Sequence, residues 1–441
     1  MTNSVCRTGA FLFGALLCLT AGARNPVVAP GRYFADPSAR VGPDGRLYLY
    51  GSKDESADYY CSHRYDVIST DDMRHWRTAE DVFASEGEHD EVSYSDALLY
   101  APDCLYENGT CYLYYCLAGP GDVIGVAASL SPAGPFCGGT PVAGCRQIDP
   151  AVFRDDDGTC YLFWGQFAAK GAVLNPDRRS VDPGTLRDSL LTERNHFFHE
   201  GIQVFKRNGI YYAVFTDISR RGMATCIGYA TASEPLGPYT YRGVIVDNFG
   251  CDPCTWNNHG SVACMNGQWY VFYHRSTHGS VTMRKACVEP IRFRDDGTIC
   301  EAEMTTQGAS GPLDPFVRTE AEWACALTGS ARISAFAAGE ERLTRIGRFD
   351  SAGYKYFDFS RAPESVTVCA VPRQGGRMTI YADNLCAPLL AEITVPPGDG
   401  LVPQLITVPV RVPLTGVHTL YFRFQGEDRC ELFDVDWFCF E

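Results

Sequence analysis

Five short segments of this chain put an ionisable side chain just ahead of an apolar run. They are Ala35-Asp36-Pro37, Tyr100-Ala101-Pro102-Asp103, Ile148-Asp149-Pro150, His199-Glu200-Gly201 and Asn258-His259-Gly260. Asp before Pro is ordinary turn chemistry, and Asp36 or Asp149 alone would be read that way, as would Asp103. Recurrence at matched points weakens that reading, and Glu200 is the hardest of the set to explain as a turn residue. Acids brought together in one place repel, so at least one of them must hold its proton to higher pH. A protonated carboxyl beside an ionised one is the arrangement that protonates a leaving group while its neighbour activates water. Cleavage of a glycosidic bond by two carboxyls fits best, and the inverting form needs them roughly 6.5–9.5 Å apart. Residues on opposite sides of a narrow channel meet that spacing; residues within one turn do not.

The elements that must position these residues recur with them. A turn pair ending in Gly, one residue, then an aromatic-rich strand appears as DGRLYLYGS, NGTCYLYYC, DGTCYLFWG, NGIYYAVFT and NGQWYVFYH, with the glycines at 45, 109, 158, 209 and 267. Asn-Gly and Asp-Gly are strong hairpin signals because both central residues of that turn take positive φ. Each hairpin follows another short strand: SARV, DCLY, PAVF, IQVF or SVAC. Five sheet units at this spacing, with no long amphipathic helix among them, predict an all-β fold. Its first part is a five-bladed β-propeller over residues 24–312, whose innermost strands line a central channel. The stretch TTQGASGPLDP from Thr305 to Pro315 reads as a linker. Beyond it, RMTIYAD, LAEITV, LITVPVRV, HTLYFRF and FDVDWFCF predict a β-sandwich over residues 316–441.

Composition sets the outer bounds. A net charge of -15 with no long basic run excludes a nucleic-acid partner. Residues 1–23 read as an export signal, with Arg7, the apolar run Phe11 to Leu19 and the small-residue site Ala21-Gly22-Ala23. That places the protein outside the cytoplasm, secreted or periplasmic. The apolar run is too short to span a bilayer, and no later stretch reaches spanning length. Of the 20 cysteines, Cys111, Cys116 and Cys160 lie in apolar strands, where Cys behaves as a small hydrophobe. For Cys251 and Cys254 a buried thiol, a local disulfide, and a metal or redox site all stay open.

NPVVAPGRYFADPSARV, IDPAVFRDDDGTCYLFWG, HEGIQVFKRNGIYYAVFT and NNHGSVACMNGQWYVFYHR resemble the motifs of glycoside hydrolase family 43, in family order over residues 25–312. The resemblance implies a five-bladed propeller that hydrolyses glycosidic bonds with inversion. It implies Asp36 as the general base, Glu200 as the general acid, and Asp149 as the acid that orients Glu200 and raises its pKa. His259 matches a channel histidine that lies near a calcium or its water shell, and Arg284 a late-blade arginine that contacts the sugar. Tyr100 stands where the family usually has Trp. For Tyr100, Trp164, Trp256 and Phe34, stacking on sugar competes with packing inside a blade.

The tail resembles carbohydrate-binding module family 6 through GYKYFDFS, GGRMTIYAD, TGVHTLYFRF and FDVDWFCF. That resemblance makes Glu320, Glu322 and Asp436 candidates for a structural calcium, and Tyr354 and Tyr356 stacking candidates. No cofactor is required for the chemistry, and the partner is a carbohydrate. The expected activity is exo-acting removal of α-L-arabinofuranosyl or β-D-xylosyl units from a plant-type polysaccharide. A galactosidase or galactofuranosidase of the same fold is the alternative. A non-catalytic sugar-binding propeller is the rival of another class, and it would need one of the three acids to be missing.

Overall fold

A computed structural model describes residues 24–119, 123–337 and 339–441. The export signal expected at 1–23 lies outside the described residues. From the N-terminus the chain forms five four-stranded antiparallel sheets, each built from strands consecutive in sequence. Their first strands are Phe34–Val41, Leu99–Glu107, Ala151–Arg154, Phe198–Arg207 and Ser261–Met265. Each first strand lies against the first strands of the blades on either side, and that of blade five returns to that of blade one, closing the ring. The expected five-bladed propeller is what forms.

The hairpin signals mark the turn between the first two strands of every blade. At Asn108-Gly109, Asn208-Gly209 and Asn266-Gly267 both residues take positive φ, as the two-residue turn requires. At Asp44-Gly45 and Asp157-Gly158 only the glycine does. There the aspartate side chain accepts the backbone N–H two residues on, at 3.2 Å from Arg46 and 2.8 Å from Thr159. That bond favours a different turn in which Asp keeps negative φ.

Blades are glued at two levels. Apolar clusters fill the space between neighbours: Tyr65, Phe83 and Tyr115 between blades one and two, and Phe163, Phe198 and Phe215 between three and four. Nearer the axis, side chains bond the backbone of the next blade. Ser261 Oγ accepts from Ala39 N at 2.9 Å, and Gln203 Oε1 accepts from Val262 N at 2.8 Å. Asp103 belongs to this framework. Buried in its strand, it accepts from Ser38 Oγ at 2.6 Å, from the Arg40 guanidinium, and from Val152 N at 2.7 Å. It therefore staples blades one, two and three; it borders the axial cavity as a hydrogen-bonded strut rather than as a turn residue.

The tail forms a six-stranded and a five-stranded sheet around a core that includes Tyr354, Phe357, Phe422 and Phe438. The stretch expected as a linker is a packed seam: Gln307 N donates to Lys355 O at 2.7 Å and Leu313 N to Tyr356 O at 2.8 Å. Lys285 of blade five forms a buried ion pair with Glu341 of the tail, and Tyr33 Oη donates to the same carboxylate at 3.1 Å. Most of the cysteines among the described residues are buried; Cys251 is buried and Cys254 exposed. No helix of the described residues is long and apolar enough to cross a membrane.

Candidate active site

The first strands of blades one, two and four are interrupted where they meet the axis, and the interruption aims the chemistry. Register shifts fall between Ala35 and Ser38, Tyr100 and Asp103, and Glu200 and Gln203. Asp36, Ala101, Asp149 and Gly201 take φ of 53°, 27°, 59° and 67°. Such bulges re-aim side chains that a regular pleat would alternate. They also correct the repeat alignment. Asp36 and Asp149 are equivalent to each other and to Ala101 and Gly201. Glu200 and His259 stand one residue earlier, at the place Tyr100 holds in blade two. Asp103 stands two residues later, which is why it faces the neighbouring strands.

Asp36, Asp149 and His259 line one small axial cavity together with Pro37, Pro102 and Gly260. His259 Nδ1 lies 3.6 Å from Asp36 Oδ1 and 4.0 Å from Asp149 Oδ2. Gly201 makes this approach possible, because a Cβ there would stand 2.6 Å from His259 Nε2.

The surroundings drive the two buried carboxyls apart. Asp36 accepts from Ser52 Oγ at 2.6 Å and from Arg284 Nη1 at 2.8 Å. Burial alone would raise its pKa. The Arg284 guanidinium, the imidazoles of His259 and His274 and the Ser52 bond outweigh burial and bring it down to about 2. Asp149 makes no hydrogen bond to Arg284. Burial first, then the negative charge of Glu200 and of Asp36, push its carboxyl well above the usual range, outweighing the hydrogen bond from the Gly201 N–H and the more distant Arg284 charge. Asp149 and Glu200 are thus a mutually repelling pair, and Glu200, half-buried, accepts from Gln166 Nε2 at 2.8 Å.

Several of these partners were not evident from the sequence. Asp54, buried, grips Arg284 at Nε and Nη2 at 2.9 and 2.8 Å. Arg284 was expected to touch sugar. Its guanidinium is buried and committed to Asp54 and Asp36, so it favours the charged form of Asp36. His274 accepts from the Asp36 backbone N–H through Nδ1 at 3.2 Å, with its Nε2 2.9 Å from Asn257 Oδ1. Burial, then Arg284, hold its pKa down to about 3, so the ring is neutral at neutral pH. Tyr60 lies over Arg284 with the guanidinium carbon 4.9 Å from its ring centre, and its hydroxyl accepts from Asn257 Nδ2 at 3.0 Å. Burial raises that phenol to about 12, and the fields of both Asp36 and Glu200 reach it.

The expected aromatic platforms divide. Tyr100 is half-buried and packs against the core between blades two and three, with the charges of Arg284 and Asp36 reaching its hydroxyl. Trp256 is exposed beside Asn257. Trp164 is 1% exposed in the core between blades two and three, and Phe34 is buried between blades five and one, so neither can stack on a ligand.

The calcium candidates lie in unlike surroundings. Asp436 lies 3.5 Å from Arg342 Nε, and Glu320 lies 2.8 Å from Arg318 Nε. Glu322 is buried with its Oε2 lacking a hydrogen-bond partner, and burial first raises its carboxyl to about 8. His259 faces two carboxylates, and no group of three or more His, Cys, Asp or Glu able to hold a metal occurs among the described residues. The stacking candidates of the tail are engaged elsewhere. Tyr354 is in the sandwich core with its hydroxyl on Ala321 O at 2.9 Å, and Tyr356 is bound to Glu303 of the propeller.

Comparison with known proteins agrees with this geometry. Residues 23–299 match the profile of glycosyl hydrolases family 43, and residues 320–441 that of carbohydrate binding module family 6. A xylosidase/arabinosidase of Thermoclostridium stercorarium is 28% identical over 92% of this chain and 97% of its own. The solved Bacillus subtilis arabinoxylan arabinofuranohydrolase, in complex with cellotetraose, is 27% identical with a TM-score of 0.55, covering 94% of this chain and 97% of its own. A β-xylosidase/α-arabinofuranosidase from a compost microbial metagenome, solved with xylotriose in a calcium-free form, is 28% identical with a TM-score of 0.54, covering 64% of this chain and 98% of its own. With its five-bladed ring and its axial acids, this chain belongs to glycoside hydrolase family 43.

Proposed function

We propose that this chain is an inverting, exo-acting glycosidase that removes α-L-arabinofuranosyl or β-D-xylosyl units from plant-type polysaccharides or oligosaccharides. The observation that carries the reading is the opposite protonation tendency of two buried neighbouring carboxyls: Asp36 held down to about 2, Asp149 pushed up. Asp36, ionised, takes a proton from water as its oxygen attacks the anomeric carbon. Glu200 delivers a proton to the glycosidic oxygen as that bond breaks. Asp149 stands behind Glu200, and the repulsion between them makes it costly for both to be charged at once. Both proton transfers fall to carboxyls, so no cofactor enters the scheme. The names of the relatives support the sugar class. A polymeric substrate fits an exported enzyme, in keeping with the leader-like residues 1–23.

The test is a screen of nitrophenyl α-L-arabinofuranoside, β-D-xyloside, β-D-galactofuranoside and galactoside, with the product anomer followed by NMR. Cleavage of either of the first two with inversion is expected. A preference for either galactosyl substrate, or retention, would overturn the reading.

A further inference from the structure

The turn that joins the second and third strands of blade three, residues 165–167, carries Gln166, whose amide bonds Glu200. The next residue is Phe167. It is 54% exposed, and its φ of 63° is a conformation that a bulky side chain rarely adopts. Nothing in the turn lets it relax. Its N–H donates to His199 O at 2.6 Å, its carbonyl accepts from Glu193 N at 3.3 Å, and Gly165 before it also takes positive φ, 119°. The backbone is thus clamped to the residue preceding the general acid. The ring stands edge-on to the His199 imidazole at 5.2 Å, and His199 Nδ1 is held by Glu193 at 2.7 Å. An exposed aromatic in a strained, doubly fastened position is costly to keep for packing alone.

Its neighbours Gln166 and His199 tie it to the Glu200 side of the axis. In an inverting cleavage the base and water occupy the face of the anomeric carbon opposite the leaving group, and the acid stands against the glycosidic oxygen. The wall next to the acid therefore borders the departing half of the substrate. We infer that Phe167 is the stacking platform for the sugar on the leaving-group side, so that it selects saccharide over small leaving groups. Sugar C–H faces pack on aromatic rings, and a clamped ring loses little freedom when it binds one. This inference rests on the glycosidase reading above.

The experiment compares two substrates of the same glycone: a xylo- or arabinoxylo-oligosaccharide, and the corresponding glycosyl fluoride, whose leaving group reaches no platform. Phe167→Ala is expected to lower kcat/KM on the oligosaccharide by about 10- to 100-fold, mostly through KM, with the fluoride within about twofold of the native enzyme. Phe167→Gly, which relieves the backbone, should behave the same, and Phe167→Trp should restore the oligosaccharide. Equal loss on both substrates would show that Phe167 only props His199 and Glu200, and no loss on either would show that no sugar meets it; both overturn the inference. A native enzyme that hydrolyses neither substrate would instead refute the parent reading, and the inference would fall with it, since no leaving sugar would remain to be held.

Discussion

Arg284 holds Asp36 at 2.8 Å with one edge of its guanidinium while Asp54 grips the other edge at two points. The three residues come from the first strand of blade one, the loop after that blade's second strand, and the loop before blade five's third strand. Removing the grip leaves the guanidinium held by Asp36, by Cys61 Sγ at 3.5 Å and by the Tyr60 ring. Asp54→Asn is therefore expected to lower kcat/KM by roughly 10- to 100-fold, the cost of a loosened positioning residue. It should also move the acidic limb of the pH profile upward. Asp36 titrates at about 2 because the cation favours its charged form, and a displaced cation lets the pKa climb toward the ordinary carboxyl value. A pH–rate profile of the variant checks both; an unmoved acidic limb would show that Asp54 does not act through Asp36.

Asp149 is the opposite case, and its raised pKa has a stability sign. Between the ordinary carboxyl value and its raised folded value, the unfolded chain has released the proton that the folded state keeps. Stability therefore falls as pH rises through that window. Asp149→Asn removes the titration while leaving an oxygen to accept from Gly201. Its melting temperature relative to native should be highest at neutral pH and should converge toward native near pH 4. A gap that is constant with pH would refute the shift.

Gly201→Ala meets two penalties at once, a φ of 67° and a Cβ 2.6 Å from His259 Nε2. A loss of about 1–3 kcal/mol in stability is expected from the backbone alone. Displacement of His259 should lower activity further at temperatures where the variant is still folded. Denaturant unfolding and kcat at low temperature separate the two effects.

At the seam with the tail, Glu341→Gln leaves Lys285 buried without its partner. Breaking a buried pair from one side costs about 3–5 kcal/mol. Calorimetry should show a lowered melting temperature for the whole chain, and Lys285→Met paired with Glu341→Gln should recover much of it. An unchanged melting temperature would mean that the propeller and the tail do not depend on this contact.

What the sequence revealed, and what it concealed, follows from how far each signal reaches. The Asn-Gly and Asp-Gly turns are local, so the five blades were legible without a structure. Asp36, Asp149 and Glu200 stand out in the sequence because each sits beside a repeat landmark. Their equivalence was misjudged because the bulges, which decide where each side chain points, depend on backbone angles that residue types do not announce. Ser52, Asp54, His274 and Gln166 stayed hidden because each serves a residue from a distant part of the chain. Trp164 and Phe34 have the right chemistry for a sugar platform, but at their strand positions the side chains enter the spaces between blades. The arginines that pair with Glu320 and Asp436 come from other strands or loops, so the resemblance did not announce them.

The division of labour between Glu200 and Asp36 is the centre of the account, and one comparison tests it. Glu200→Gln and Asp36→Asn are assayed on an aryl glycoside with a very acidic leaving group and on one with a poor leaving group. A departing group that needs no proton should largely spare Glu200→Gln, whereas a poor one should lose several orders of magnitude. Asp36→Asn should lose both, because water must be activated whatever leaves. Equal losses on the two substrates for both variants would contradict the assignment of acid and base.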